Sequence, residues 1–81
     1  MTRTQTWVVP QYWLEGTPAA NNGAQFWTDG VKLYSYNLQI GDTTGGVKVL
    51  RDYTKNGKHG FKSMTTSKHV GYARKVADIV D

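Results

Sequence analysis

The chain contains no cysteine, which excludes disulfides and thiolate metal sites together. Proline is scarce, at 2 of 81 residues, so nearly every backbone N–H can enter a helix or a sheet ladder. Acids are few, 6 Asp plus Glu against 10 Lys plus Arg. The 2 histidines lack a paired carboxylate in sequence and make a poor metal or catalytic set. Neither a metal, a cofactor nor an enzymatic activity is expected. No apolar run approaches the roughly 20 residues that a membrane-spanning helix needs. The opening MTRTQTWVVPQYW lacks the roughly 7–15-residue apolar core of a signal peptide. A cytoplasmic protein without membrane contact is the expectation. The Gly-rich GDTTGG at 41–46 lacks the Gly-Lys-Ser/Thr ending of a phosphate-cradling Walker loop.

What is present is aromatic surface and a polarised charge. Hydrophobic residues make up only 38% of the chain, so the 3 Trp, 5 Tyr and 2 Phe must supply much of the core, each burying about 150–250 Å². A single domain over 1–81 fits this length. Residues 1–46 carry Arg3 and Lys32 against Glu15, Asp29 and Asp42, a net −1. Residues 47–77 carry Lys48, Arg51, Lys55, Lys58, Lys62, Lys68, Arg74 and Lys75 against Asp52 alone, a net +7. Such a local excess recruits phosphates or acidic protein surfaces.

Along the chain, residues 1–23 read as an edge strand and a loop. Trp7, Val9 and Trp13 alternate with Val8, Tyr12 and Leu14, and Pro10 confines a strand to a sheet edge. Residues 24–65 read as antiparallel strands. Asp29-Gly30 is a favoured two-residue hairpin turn, which pairs Thr28 with Val31, Trp27 with Lys32 and Phe26 with Leu33, and allows a cation–π contact of Lys32 on Trp27. Tyr34, Tyr36, Leu38 and Ile40 then share a face. In VKVLRDYT the alternation places Val47, Val49 and Tyr53 inward and Lys48 and Asp52 outward, with Leu50 breaking the pattern. Asn56-Gly57 predicts a second hairpin whose tip carries Lys55, Lys58, His59 and Lys62, with FKSM as the returning strand. A helix is expected over 66–81, from about Ser67 to Val80. At 100° per residue, Val70, Ala73, Val76, Ala77 and Val80 fall in an arc of about 120°, a core-facing stripe, and His69 lies inside it. The expected fold is α+β: a small antiparallel sheet of four to five strands with one C-terminal helix packed on a face.

That helix carries its charges against its own dipole. Lys68 and His69 sit near its start and Asp78 and Asp81 near its end, the reverse of what the dipole favours. Thr65, Thr66 and Ser67 precede Lys68, and two readings stand. One hydroxyl caps the helix and the others are incidental. Alternatively, hydroxyls, free N–H groups and the ammonium converge on a phosphate. His69 in the apolar arc reads as a partly buried histidine with one hydrogen bond.

WTDGVKLYSYNLQI, followed after a β-rich spacer by MTTSKH, resembles a group of small uncharacterised proteins of bacteriophages and other prokaryotic viruses. The resemblance spans residues 26–70. It implies a phage-type origin and a shared role for 65–69, and it supplies no activity.

The composite expectation is a small non-enzymatic accessory protein that binds a phosphate-bearing partner, most of all nucleic acid, through its basic half. Thr65, Thr66, Ser67 and Lys68 would hold a phosphate, with Lys55, Lys58, Lys62 and Lys75 adding backbone contacts. Two alternatives remain open. One is an inhibitor or adaptor docking on an acidic host-protein surface, such as a defence complex. The other is a nucleotide-sequestering protein.

Overall fold

A computed structural model describes residues 1–81. The chain forms one seven-stranded sheet in sequential order, covered by two helices. The strands are β1 (Thr2–Thr4), β2 (Ala19–Asn21), β3 (Phe26–Thr28), β4 (Leu33–Ser35), β5 (Leu38–Thr44), β6 (Val47–Leu50) and β7 (Ile79–Val80). Helix α1 spans Val9–Glu15 and α2 spans Met64–Arg74. Strands β2 to β6 form an antiparallel meander, while β1 pairs parallel to β2 and β7 parallel to β6. Each outer pair therefore needs a crossover, and each crossover carries one helix. The fold is α+β, but with seven strands rather than four to five and with a second helix.

The first correction is at the N-terminus. Residues 6–15 are a 3₁₀ turn (Thr6–Val8) running into α1, not an edge strand. Pro10 sits in the first helical turn, where its missing N–H would have had no partner anyway. Gly16 closes the helix at φ 77°, with Gly16 and Thr17 N–H groups returning to the carbonyls of Trp13 and Tyr12. This termination favours glycine. The helix buries Val9 and Trp13, one turn apart, and Trp13 donates its indole N–H to the Val31 carbonyl at 3.0 Å.

The Asp29-Gly30 pair does turn the chain, within a wider loop than two residues. Asp29 Oδ1 accepts from the N–H groups of both Val31 and Lys32, at 2.9 and 2.7 Å, which holds a four-residue connection. The pairing is consequently Thr28↔Leu33, Trp27↔Tyr34 and Phe26↔Ser35. Trp27 therefore stacks on Tyr34, with centroids 4.1 Å apart, and the expected contact with Lys32 does not form. Strand β4 then stops at Ser35, and Tyr36-Asn37 reverses the chain into β5. Leu33 and Ser35 face inward while Tyr34 and Tyr36 do not.

Eight buried residues from both helices and the sheet make one core: Val9, Trp13, Phe26, Leu33, Ile40, Leu50, Val70 and Ala73. The inward parity of β6 is opposite to expectation. Leu50 is fully buried and Lys48 is 5% exposed, while Val47 is exposed. Lys48 is accommodated because its ammonium lies 5.6 Å from the Trp13 ring centroid and donates to Thr43 Oγ1 at 2.8 Å.

The C-terminal segment is corrected at both ends. Ser63 caps α2, its hydroxyl accepting the Thr66 N–H at 3.1 Å. The helix stops at Arg74, because Asp78 accepts the Lys48 N–H at 2.8 Å and draws Ile79–Val80 into the sheet as β7. Val70 and Ala73 are buried, Val76 and Ala77 pack partly against the core, and Val80 is exposed. Neither a hairpin at 55–60 nor a strand at FKSM forms. Residues 51–63 are turns and coil tied down by Arg74 on Asp52 at 3.1 Å and by Lys58 and His59 on Asp81 at 2.9 and 3.2 Å. The backward helix charges are thereby explained: Asp78 and Asp81 lie beyond α2, whose last turn carries Arg74.

Strand β5 runs past Trp13 at Gly41. A Cβ there would stand 2.8 Å from Trp13 Cζ2 and 3.0 Å from Leu33 Cβ, and neither buried side chain has room to retreat. Gly41→Ala is therefore expected to cost about 1–3 kcal/mol by overpacking, read as a lower urea midpoint at unchanged m-value. An unchanged midpoint would mean that the Trp13 contact is loose.

Candidate functional site

The two segments LYSY (33–36) and TTSKH (65–69), distant in the chain, meet in the fold. Strand β4 buries Ser35 against α2, where its hydroxyl lies 2.7 Å from His69 Nδ1 and 3.0 Å from Thr66 Oγ1. Ser63 Oγ donates to Thr66 Oγ1 at 3.1 Å, so three hydroxyls and an imidazole form one chain. The His69 ring stacks flat on Phe26, centroids 4.3 Å apart at an interplanar angle of 2°. His69 is 3% exposed, and burial pushes its pKa down to about 4. The ring is thus neutral near pH 7, and it makes the one expected hydrogen bond while lying deeper than the partly buried position expected.

Beyond the imidazole lies a cleft of about 420 Å³, within the roughly 300–1,000 Å³ typical of small-molecule sites. Its lining comes from four parts of the fold. The 3₁₀ turn gives Thr6 and Trp7, the end of β2 with the β2–β3 connection Asn21 and Gln25, the β4–β5 turn Tyr36, and α2 the ladder Thr65, Lys68, His69 and Tyr72. The ladder follows from helical geometry, since positions three and four apart share a face. Lys68 is the only formally charged residue of the lining, and no carboxylate is among them. Trp7 is 62% exposed and Tyr36 48%, so aromatic surface is presented to solvent at the mouth. Tyr36 holds φ 56°, a left-handed conformation uncommon for a bulky residue. Its N–H donates to the Gln25 carbonyl at 2.7 Å and its carbonyl accepts the Trp27 indole N–H at 2.8 Å.

The site residues expected from sequence separate into distinct groups. Thr65 and Lys68 line the cleft. Thr66 is buried, its N–H and hydroxyl engaged with Ser63 and Ser35, so it acts as support. Ser67 Oγ is buried without a hydrogen-bond partner. Lys55, Lys58, Lys62 and Lys75 do not line the cleft. Lys58 is paired with Asp81, Lys62 lies 5.8 Å from the Tyr53 centroid, and Lys75 follows the far end of α2, roughly 16 Å from its start. Trp7, Asn21, Gln25, Tyr36 and Tyr72 were not foreseen as site residues. Tyr72 had a local signal, four residues after Lys68 on one helix face. The others come from separate connections, and no local pattern joins them.

Chemically, the Ser35–His69 contact has the distance of a nucleophile–base pair. Ser35 is only 1% exposed, however, and its hydroxyl is shared with Thr66, so no substrate carbon can approach it. What faces the cleft is a set of hydrogen-bond donors and aromatic edges. Comparison with protein-family models, curated proteins and solved structures finds no match. No helix is long and apolar enough to cross a membrane.

Two measurements test this description. Unfolding lets His69 take up a proton below its ordinary pKa near 6.5, whereas the folded ring resists protonation down to about 4. Stability should therefore fall as pH drops from 6.5 towards 4, by up to about 3 kcal/mol. The neutral variant His69→Gln should show a flatter urea-midpoint profile over that window, and parallel profiles would contradict the buried neutral ring. Separately, Ser67→Ala removes an unpaired buried hydroxyl and improves helix propensity, so a gain of about 0.5–1 kcal/mol is expected in thermal or urea unfolding. A loss would show that Ser67 Oγ has a partner.

Proposed function

We propose that the protein is a non-enzymatic binding protein for a nucleotide unit, holding one phosphate-bearing, base-bearing ligand in the cleft on α2. The observation that carries this is the lining itself: one ammonium, hydroxyl and imidazole donors, three aromatic side chains and no carboxylate. An anion is favoured at Lys68 and Thr65, near the positive end of the helix dipole. A planar ring is favoured on Trp7, Tyr36 and Tyr72, where base–aromatic stacking contributes about 1–3 kcal/mol per base. A free nucleotide and an unpaired nucleotide of a single strand share this chemistry. The basic half supports it less as an extended phosphate track, because Lys58 and Arg74 are paired with Asp81 and Asp52 and Lys48 is buried. A phage-type origin is compatible with such a protein and adds nothing to its chemistry.

The test is titration of the protein with nucleoside 5′-monophosphates and with short single-stranded DNA and RNA at low salt, followed by tryptophan fluorescence and calorimetry. Binding should weaken at least about tenfold in Lys68→Glu, which replaces a charge-assisted hydrogen bond with repulsion. The salt slope should be shallow: about 0.7 for a short single strand held through one phosphate, and, for a monophosphate, which carries no condensed counterions, only the loss due to screening. Steep slopes with no effect of Lys68→Glu would instead point to the remaining lysines as a general nucleic-acid surface. Absence of binding to every probe would remove the nucleotide reading and favour a protein partner.

A further inference from the structure

The hydroxyl chain behind His69 has a direction. Each hydroxyl carries one proton and can accept as well. Ser63 Oγ accepts the Thr66 N–H and donates to Thr66 Oγ1. The Thr66 proton is then left for Ser35 Oγ, at 3.0 Å. Having accepted it, the Ser35 hydroxyl has its own proton free for His69 Nδ1, at 2.7 Å. The opposite polarity at the last step would bring two donors onto Ser35 Oγ and strand its proton in a site that is 1% exposed, against the rule that buried polar hydrogens are paired. Nδ1 is therefore the acceptor, and in a neutral ring the proton resides on Nε2.

Nε2 makes no hydrogen bond within the protein. His69 lines the cleft, and the one sealed, unpaired side-chain polar atom of the fold is Ser67 Oγ, so Nε2 retains access to the cleft. The ring cannot swing to present another atom, because Phe26 covers one face at 4.3 Å and Ser35 holds Nδ1. Asn21 is held in one orientation, its amide nitrogen donating to Thr6 Oγ1 and its oxygen accepting from the Phe26 N–H, and its remaining amide hydrogen is a donor of the same sense as Nε2–H. Gln25, with no side-chain partner, can turn its amide either way and so does not discriminate by itself.

Resting on the nucleotide reading above, we infer that the Ser63–Thr66–Ser35 chain fixes His69 as an Nε2–H donor at the cleft floor, which makes the cleft selective for bases carrying an oxo group at pyrimidine C4 or purine C6 over counterparts carrying an amino group there. A carbonyl oxygen completes the floor, whereas an exocyclic amino group opposes donor to donor and leaves both unpaired. His69 reads the ligand, and Ser35 and Thr66 are positioning residues. The neutrality of His69 over the physiological range keeps the donor unchanged there, since burial holds its pKa at about 4.

The experiment uses two nucleotide pairs that differ only at this edge, UMP against CMP and IMP against AMP, titrated into wild type, Ser35→Ala and Ser35→Thr. The His69 ring nitrogens are assigned in parallel by ¹⁵N NMR of the free protein. The expected result is an Nε2–H signature in wild type and an oxo-over-amino preference of at least about tenfold in each pair. Ser35→Ala should shrink that preference and populate the other tautomer, and Ser35→Thr, which retains the hydroxyl, should restore both. Should Ser35→Ala not fold, Thr66→Val breaks the same chain one step back. An Nδ1–H signature in wild type, or equal affinities within the pairs, overturns the inference while leaving the cleft a nucleotide site. Failure of all four nucleotides to bind overturns the inference, and failure of the single-stranded probes as well overturns the nucleotide reading.

Discussion

The contact on which most of the architecture turns is the imidazole of His69 between Phe26 and Ser35. It fastens α2 to β3 and β4 by a flat stack and a 2.7 Å hydrogen bond, and it does so with a neutral polar ring in a nearly dry place. Burying an imidazole without a partner would be costly, and burying it charged more so. The three hydroxyls of Ser63, Thr66 and Ser35 meet that requirement on the Nδ1 side. On the Nε2 side the ring opens to a cleft instead. One residue thus belongs both to the hydrophobic core and to the candidate site, so the site inherits the rigidity of the core.

Trp13 plays the corresponding part at the other helix. Its ring occupies the space that Gly41 leaves open, its indole N–H is satisfied by Val31, and its face lies beside the Lys48 ammonium. These contacts decide the inward parity of β6, because they allow a lysine where alternation alone demands an apolar residue. Desolvation pushes the Lys48 pKa down, and the nearby Asp78 charge opposes that shift. The same Asp78 accepts the Lys48 N–H and recruits β7, so the sheet edge and the buried lysine are parts of one arrangement.

The basic half of the chain is more neutral in the fold than in the sequence. Arg74 lies on Asp52, whose carboxyl is held low first by the Thr54 hydroxyl and then by Arg74. Lys58 and His59 converge on the C-terminal Asp81, whose pKa they likewise depress. Each pair keeps at least one partner exposed to solvent and adds little stability individually. Their effect is spatial: they tie residues 51–63 to the end of the chain and leave Lys68 as the cation of the cleft.

Much of α2 was legible in the sequence, because a helical stripe is a local property: the inward positions of Val70, Ala73 and His69 follow from spacing within one helix. The turn at Asp29-Gly30 was legible for the same reason, through the φ preferences of its residues, although its length was set by the Asp29 carboxylate reaching two N–H groups. Pro10 was ambiguous in principle, since the residue suits a strand edge and a first helical turn equally, and Gly16 with the Val9–Trp13 spacing was the signal that favoured the helix. The sequence by itself determined the absence of disulfides, a core-facing stripe in α2 and a net positive charge, but not the make-up of the core, which takes only Trp13 and Phe26 of the aromatics and is otherwise aliphatic. Only the tertiary structure decided the parallel edge strands, the burial of Lys48, the pairing of the basic loop and the cleft. Each of these joins residues far apart in the chain, and their energies depend on which surfaces meet, which no window of local preference contains.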